Sequence, residues 1–177
     1  ALSLNANFRA TDRVVGIDGI RGTLGSGRVT GSVAIDVSGP KPAANANLNF
    51  DRVEFESAAS RGASRDEPWS DQPMGLAVLR VFDAAVRMSA RELVYRGIRL
   101  SPAEVEANLS GGLLSFLVAR SELYGGPLQG RLVVDAAGRD ARYGLTFEFS
   151  RVNARPFLTD AFGFEYIEGR ANAKFDL

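Results

Sequence analysis

Gly125-Gly126-Pro127-Leu128-Gln129-Gly130-Arg131-Leu132 has the glycine density of a phosphate-binding loop, yet it lies in a run that alternates apolar and polar residues like a strand. Its relation to the rest of the chain decides between the two. Leu24-Gly25-Ser26-Gly27-Arg28-Val29-Thr30-Gly31-Ser32-Val33-Ala34-Ile35-Asp36 lies at a constant offset over Leu123-Tyr124-Gly125-Gly126-Pro127-Leu128-Gln129-Gly130-Arg131-Leu132-Val133-Val134-Asp135. Leu, Gly, Gly and Asp recur identically, and apolar positions match apolar positions. Ile167-Glu168-Gly169-Arg170-Ala171 is a weaker third echo. A phosphate loop occurs once and leads from a strand into a helix, whereas this motif recurs and leads from a turn into a strand. It reads as a turn. The first glycine pair is expected to take the positive φ of a hairpin, and the later glycine to remove a side chain from the inner face of a sheet. Gly25-Ser26-Gly27-x-x-x-Gly31 has the wrong spacing for a dinucleotide fingerprint and no following helix.

Working outward, period-two alternation dominates. Leu2, Leu4, Ala6 and Phe8 share one face, while Ser3, Asn5, Asn7 and Arg9 share the other, as in a strand buried on one side. The pattern returns at Val29 to Val37, Ala44 to Asp51, Val105 to Leu109, Leu128 to Val134, Tyr143 to Phe149 and Ala171 to Leu177. Less regular strands fit Ala84 to Tyr95 and Leu113 to Arg120. Turn residues at Ser38-Gly39-Pro40, Gly97, Gly111-Gly112 and Gly138 separate these runs. The fold class is mainly β: about nine or ten strands in an elongated, twisted antiparallel meander, curled into a trough or a sandwich-like sheet.

Two short helices interrupt it. One spans 154–162, with Asn153 as N-cap, Pro156 in the first turn and Gly163 as terminator. The other lies near 73–82, capped by Ser70 or Asp71, with Met74, Leu76 and Leu79 facing inward. Residues 56–72 are rich in Ser, Ala and charge and read as a linker. This divides the chain into an N-terminal β-repeat segment, 1–63, and a second β-repeat segment, 64–177. The chain opens directly in strand alternation and still alternates at Leu177, so it reads as a piece of something longer.

Composition removes most chemistry. Among 177 residues there is no histidine and no cysteine, which excludes Cys/His nucleophiles, the usual serine triad, zinc clusters and disulfide frameworks. Twenty-one basic residues balance 21 acidic ones, so no net field favours nucleic acid or any particular lipid headgroup. Asp66, Glu67 and Asp71 crowd the linker, but their spacing is not that of a calcium loop, and a solvated acidic loop is the simpler reading. Glu104 and Glu106 share the polar face of a strand and read as a solvent edge rather than an acid/base pair. No catalytic, metal or cofactor site is expected.

A set of elements then resembles a known family. Trp69-Ser70-Asp71-Gln72-Pro73 precedes a short apolar helix. It is followed by Leu79-x-x-Phe82-Asp83-Ala84-x-Val86-x-Met88, Leu93-x-x-x-Gly97-Ile98-x-Leu100, Leu123-Tyr124-Gly125-Gly126-x-Leu128-x-Gly130, and Phe157-Leu158 before Gly169. Taken in order, they resemble the repeat layout of bacterial AsmA-like proteins, most strongly from Pro68 to Leu177. The resemblance implies an inner-membrane protein anchored by an N-terminal helix absent from this chain. It also implies a periplasmic β-groove whose apolar interior carries phospholipid or other acyl chains between the membranes. Envelope proteins at the membranes are the implied partners, and the role is non-enzymatic.

The residues expected to line such a groove are Val29, Val33, Ile35, Leu128, Leu132, Val134, Leu145, Phe147 and Phe149. Ala6, Gly31, Ala44, Ala46, Ala107, Gly130, Ala171 and Ala173 on the same faces leave room that tight packing would fill. The alternative is a scaffold or protein-interaction sheet with a dry core, binding partners by strand addition.

Overall fold

The computed structural model describes residues 2–24, 27–55 and 76–177. The strands are β1 Leu2–Ala10, β2 Val14–Leu24, β3 Gly27–Asp36, β4 Ala43–Phe55, β5 Asp83–Tyr95, β6 Ile98–Leu100, β7 Ala103–Ser110, β8 Leu113–Leu123, β9 Gly126–Asp135, β10 Arg142–Asn153 and β11 Arg170–Asp176. All eleven belong to one sheet in chain order, with β6 and β7 sharing the position between β5 and β8. A 3-10 turn, Leu76–Arg80, precedes β5, and one helix, α1 Ala154–Phe162, lies between β10 and β11. The expected linker 56–72, the division at Ser64, and Asp66, Glu67, Trp69 and Asp71 all lie outside the described residues.

GGPLQGRL is a turn entering a strand. Leu123 pairs with Gly126 across a two-residue connection in which Tyr124 (φ 45°) and Gly125 (φ 77°) have the left-handed backbone of a tight hairpin. The positive φ therefore falls on Tyr124 and Gly125, not on the Gly125-Gly126 pair. Gly126 has another task, since a Cβ there would overlap the carbonyl oxygen of Ser150 on β10. Gly27, its counterpart one repeat earlier, stands in the same relation to the carbonyl oxygen of Arg52 on β4. The offset that relates these glycines carries the bounds of β2 onto those of β8, and β3 onto β9. The repeat is thus a unit of paired strands.

Three features differ from the sequence reading. β2 is a full strand within a glycine-rich stretch where no alternation was evident. A register shift between Ile17 and Ile20, with Gly19 at φ 61°, inserts an extra residue and breaks the period while keeping both isoleucines on one face. Second, β4 and β5 pair in parallel, Ala43 with Asp83 through to Phe55 with Tyr95, so the sheet is not a pure antiparallel meander. A parallel pair needs a crossover of roughly a dozen residues or more, which the segment between Phe55 and Asp83 supplies. Third, the helix expected near 73–82 is a 3-10 turn among the described residues, with Leu76 and Leu79 half-buried. Arg80 ties it to the sheet by donating to the carbonyls of Ala136 and Gly138.

α1 has its expected bounds, but Asn153 makes no side-chain cap. The sheet holds that end: Asn153 N–H donates to Tyr124 O at 3.1 Å and Ala154 N–H to Gly169 O at 3.0 Å. Gly163, at φ 69°, closes the other end, with its N–H on Thr159 O at 2.8 Å.

Candidate functional site

Because side chains alternate across a strand, register alone determines which ones share a face. Phe8, Ile17, Val33, Ala46, Val86, Ala107, Phe116, Leu132 and Leu145 stand opposite one another from β1 to β10. The next row runs Ile20, Gly31, Leu48, Met88, Val105, Val118, Gly130, Phe147 and Phe175, from β2 to β11. Register shifts between Val118 and Ser121 and between Phe149 and Val152 add a residue each, so the side chains on both flanks keep to this face. One continuous apolar face results, and among the described residues no second sheet packs against it.

The expected groove residues all lie on this face, in two groups. Leu128, Leu132 and Val134 on β9 adjoin Leu145, Phe147 and Phe149 on β10, with Leu132 opposite Leu145 and Leu128 opposite Phe149. Val29, Val33 and Ile35 lie on β3, separated from them by β4, β5, β7 and β8. Val29, Leu128, Val134 and Phe149 are buried; Val33, Leu132, Leu145 and Phe147 are half-buried; Ile35 is 37% exposed. Val86, Met88, Val105, Phe116 and Val118 join the two groups and were not among the residues expected to line the groove. Their signal was present: Phe116 and Val118 alternate within Leu113–Val118, and Val86 and Met88 alternate at the start of β5.

Burial is deepest at one end of the face. Leu123, Leu128, Phe149 and Val152 form a cluster beside a second one of Val53, Ala90, Leu93 and Ala103. α1 packs on the first through Phe157, whose ring meets Phe149 at 5.6 Å and Tyr124 at 6.0 Å, while Phe149 meets Phe147 at 5.6 Å. Away from this end the face opens: Phe8 is 68% exposed and Tyr143 and Phe175 are each 50% exposed.

Tyr124 links sheet and helix. Its hydroxyl donates to Asp160 Oδ2 at 2.6 Å and accepts from the backbone N–H of Arg99 at 3.2 Å; Arg99 Nε lies 3.6 Å from the same carboxylate. Burial, followed by the hydrogen bond to Asp160, pushes the phenol up to about 12. These groups wall a polar cavity of about 580 Å³ that Glu92, Glu122, Arg155 and Glu165 also line. Tyr124 thus pins the β8–β9 turn to α1.

The opposite face is polar and carries shallow cavities of its own. One of about 360 Å³ is lined by Asn47, Asn49, Arg87, Ser89, Glu104 and Glu106. Another, of about 350 Å³, has Gln129, Arg131, Thr146, Glu148 and Lys174 in its wall and reaches Phe147 and Phe175. Glu106 faces Arg87 at 3.5 Å and Glu104 faces Arg120 at 3.9 Å, so each carboxylate has a cation beside it.

A single repeated sheet with one unbroken apolar face, closed at one end by a short helix, defines a class of β-repeat groove proteins. A family model described as the AsmA family matches residues 41–177, and the chain belongs to that family. The match takes in β4 and everything after it, beginning upstream of the Pro68 boundary suggested by the motifs. Membership makes this an envelope-related protein. No curated protein and no solved structure matches the chain. Among the described residues, no helix is long and apolar enough to cross a membrane.

Proposed function

We propose that this chain is a periplasmic segment that carries phospholipid acyl chains on its apolar face, as part of a protein moving lipid between the inner and outer membranes. The supporting observation is the continuity of that face. Two adjoining rows, one from β1 to β10 and the other from β2 to β11, cross the sheet without a charged residue, and most of their side chains are only half-buried. A sheet of this kind must cover the face with something, and acyl chains match it in chemistry. The binding is non-enzymatic, and an anchor in the inner membrane and partners at either membrane lie outside these residues.

Ala46, between Val33 and Val86, and Ala107, between Val86 and Phe116, are small residues in the first of those rows, and they lower the floor there, leaving room for a flexible chain. The balanced charge favours no headgroup. The scaffold reading rests on the dry cluster of Phe149, Val152 and Phe157 beneath α1, which fills that end with protein side chains. Uptake of a fluorescent phospholipid from vesicles distinguishes the two. Saturable binding that a charge at Phe116 removes supports transfer, and no uptake by the folded protein supports the scaffold.

A further inference from the structure

We propose that the closed end of the apolar face holds a second acyl-chain site, which the Phe157 side chain of α1 fills in this structure and which a lipid chain enters by displacing it. The inference rests on the reading of the face as a lipid carrier and extends it to the end that α1 closes. The site is the cluster of Leu123, Leu128, Phe149 and Val152, each no more than 7% exposed. It is continuous with the open rows, because Val118 and Phe147 pack against the same cluster. Phe147 meets Phe149 at 5.6 Å and Phe149 meets Phe157 at 5.6 Å, so a chain lying along Phe147 reaches Phe157 just past Phe149.

The hold on α1 is local and weak. The helix has nine residues, too few to persist by itself, and Ala154 at its start is its one buried residue. Phe157 is the side chain it places in the cluster, while Leu158, Thr159 and Ala161 are half-buried. Part of its inner surface meets the polar cavity of about 580 Å³, which Pro156, Thr159 and Asp160 line from the helix and Glu92, Ser101 and Glu122 line from the sheet. The contacts of Asp160 with Tyr124 and Arg99 clasp the helix across that space, and the Arg155–Glu168 pair is exposed. The return loop to β11 starts at Gly163 (φ 69°) and ends at Gly169 (φ 121°). Among the described residues, a Cβ at either glycine would meet no heavy atom within 4 Å, so packing does not fix the loop at its two ends. Few contacts therefore oppose undocking, which needs far less than global unfolding. With Phe157 withdrawn, the walls of the site are aliphatic and aromatic, a surface suited to an acyl chain. α1 and lipid compete for this surface, and a chain that binds only the undocked form shifts the population toward it.

Hydrogen exchange read by mass spectrometry on the folded chain tests the site. Amides from Leu158 to Phe162 should exchange about tenfold or more faster than those of β9 and β10, by local opening. Tyr124→Phe removes one bond of the clasp and leaves Phe157 in place; it should raise α1 exchange about tenfold with β9 unchanged. Dihexanoylphosphatidylcholine below its micellar concentration should raise α1 exchange saturably. Glycerophosphocholine, with the same headgroup and no acyl chains, should not. Phe157→Ala empties the site and should bind the short-chain lipid about tenfold more tightly than wild type in calorimetry. α1 amides that exchange as slowly as β9 and β10, or lipid bound with α1 exchange unchanged, would overturn the inference and leave the open face as the carrier. No lipid bound by wild type or by Phe157→Ala would overturn the carrier reading as well.

Discussion

Gly27 lies against Arg52 so closely that a Cβ on the glycine would overlap the arginine's carbonyl oxygen, and Gly126 stands in the same relation to Ser150 one repeat later. Beside Gly126 the neighbouring strand is irregular, since β10 shifts register between Phe149 and Val152, and such a bulge bends a strand. Gly27 lies just past the last regular β3–β4 pair, Val29 with Phe50, and in both places a glycine is what lets the adjacent backbone come close. Gly27→Ala and Gly126→Ala should each destabilise the fold by about 2 kcal/mol or more, because backbone rather than a flexible side chain must move. Gly130→Ala is the control. Its nearest neighbour to a new Cβ is a Phe147 ring carbon at 3.6 Å, an ordinary contact, and its stability should stay within about 1 kcal/mol of wild type in urea titrations.

Tyr124 supplies a titration that reports the union of sheet and helix. Its folded pKa, pushed up to about 12, lies above the ordinary tyrosine value of 10.0, so the neutral phenol is the form the fold favours. The stabilisation is complete below the unfolded value and is lost as pH rises from about 10 through about 12. The difference between wild-type and Tyr124→Phe absorbance titrations should have its midpoint near pH 12; a midpoint near 10 would mean that neither the burial of the ring against α1 nor the bond to Asp160 holds in solution.

Asp51 makes the acid-side counterpart. The backbone N–H of Arg28 beside it, with that of Arg52 at 2.7 Å, holds its carboxyl below the usual carboxylate range. A depressed pKa contributes stability above the unfolded value of about 4, and that contribution is lost as pH falls through the folded value. The gap in urea midpoint between wild type and Asp51→Asn should be present at pH 6 and shrink steadily below about pH 4. A gap independent of pH would contradict the assignment.

Phe147 and Thr146 are neighbours on opposite faces of β10. Phe147→Glu puts a charge on the apolar face and should abolish phospholipid uptake, whereas Thr146→Glu on the exposed polar face should leave it intact. Melting curves for both variants separate lost binding from lost folding, and equal uptake by the two folded variants would remove the face from the lipid path.

The parts legible in the sequence are those where local pattern and tertiary structure agree. β10 alternates cleanly from Tyr143 to Phe149, and α1 is bracketed by Asn153 and Gly163, so both were readable. β2 was hidden because the extra residue at Asp18-Gly19 breaks a period that register preserves in space. The parallel pairing of β4 with β5 was hidden because alternation reports faces and not strand direction. The two groups of expected groove residues could be placed on apolar faces from alternation alone, but the bridge of Val86, Met88, Val105, Phe116 and Val118 appears only when register aligns β3, β4, β5, β7, β8 and β9. Asn153 looked like a cap because residue type suggests one, yet the backbone of the Tyr124 turn already holds that helix end.

The central claim is that the apolar face carries lipid, and the most direct measurement is mass spectrometry of organic extracts from the protein purified under mild conditions, with a β-sandwich of similar size as control. The account predicts phospholipid in stoichiometric amounts above the control. A lipid-free protein that also refuses added phospholipid would contradict it and leave this sheet as a scaffold.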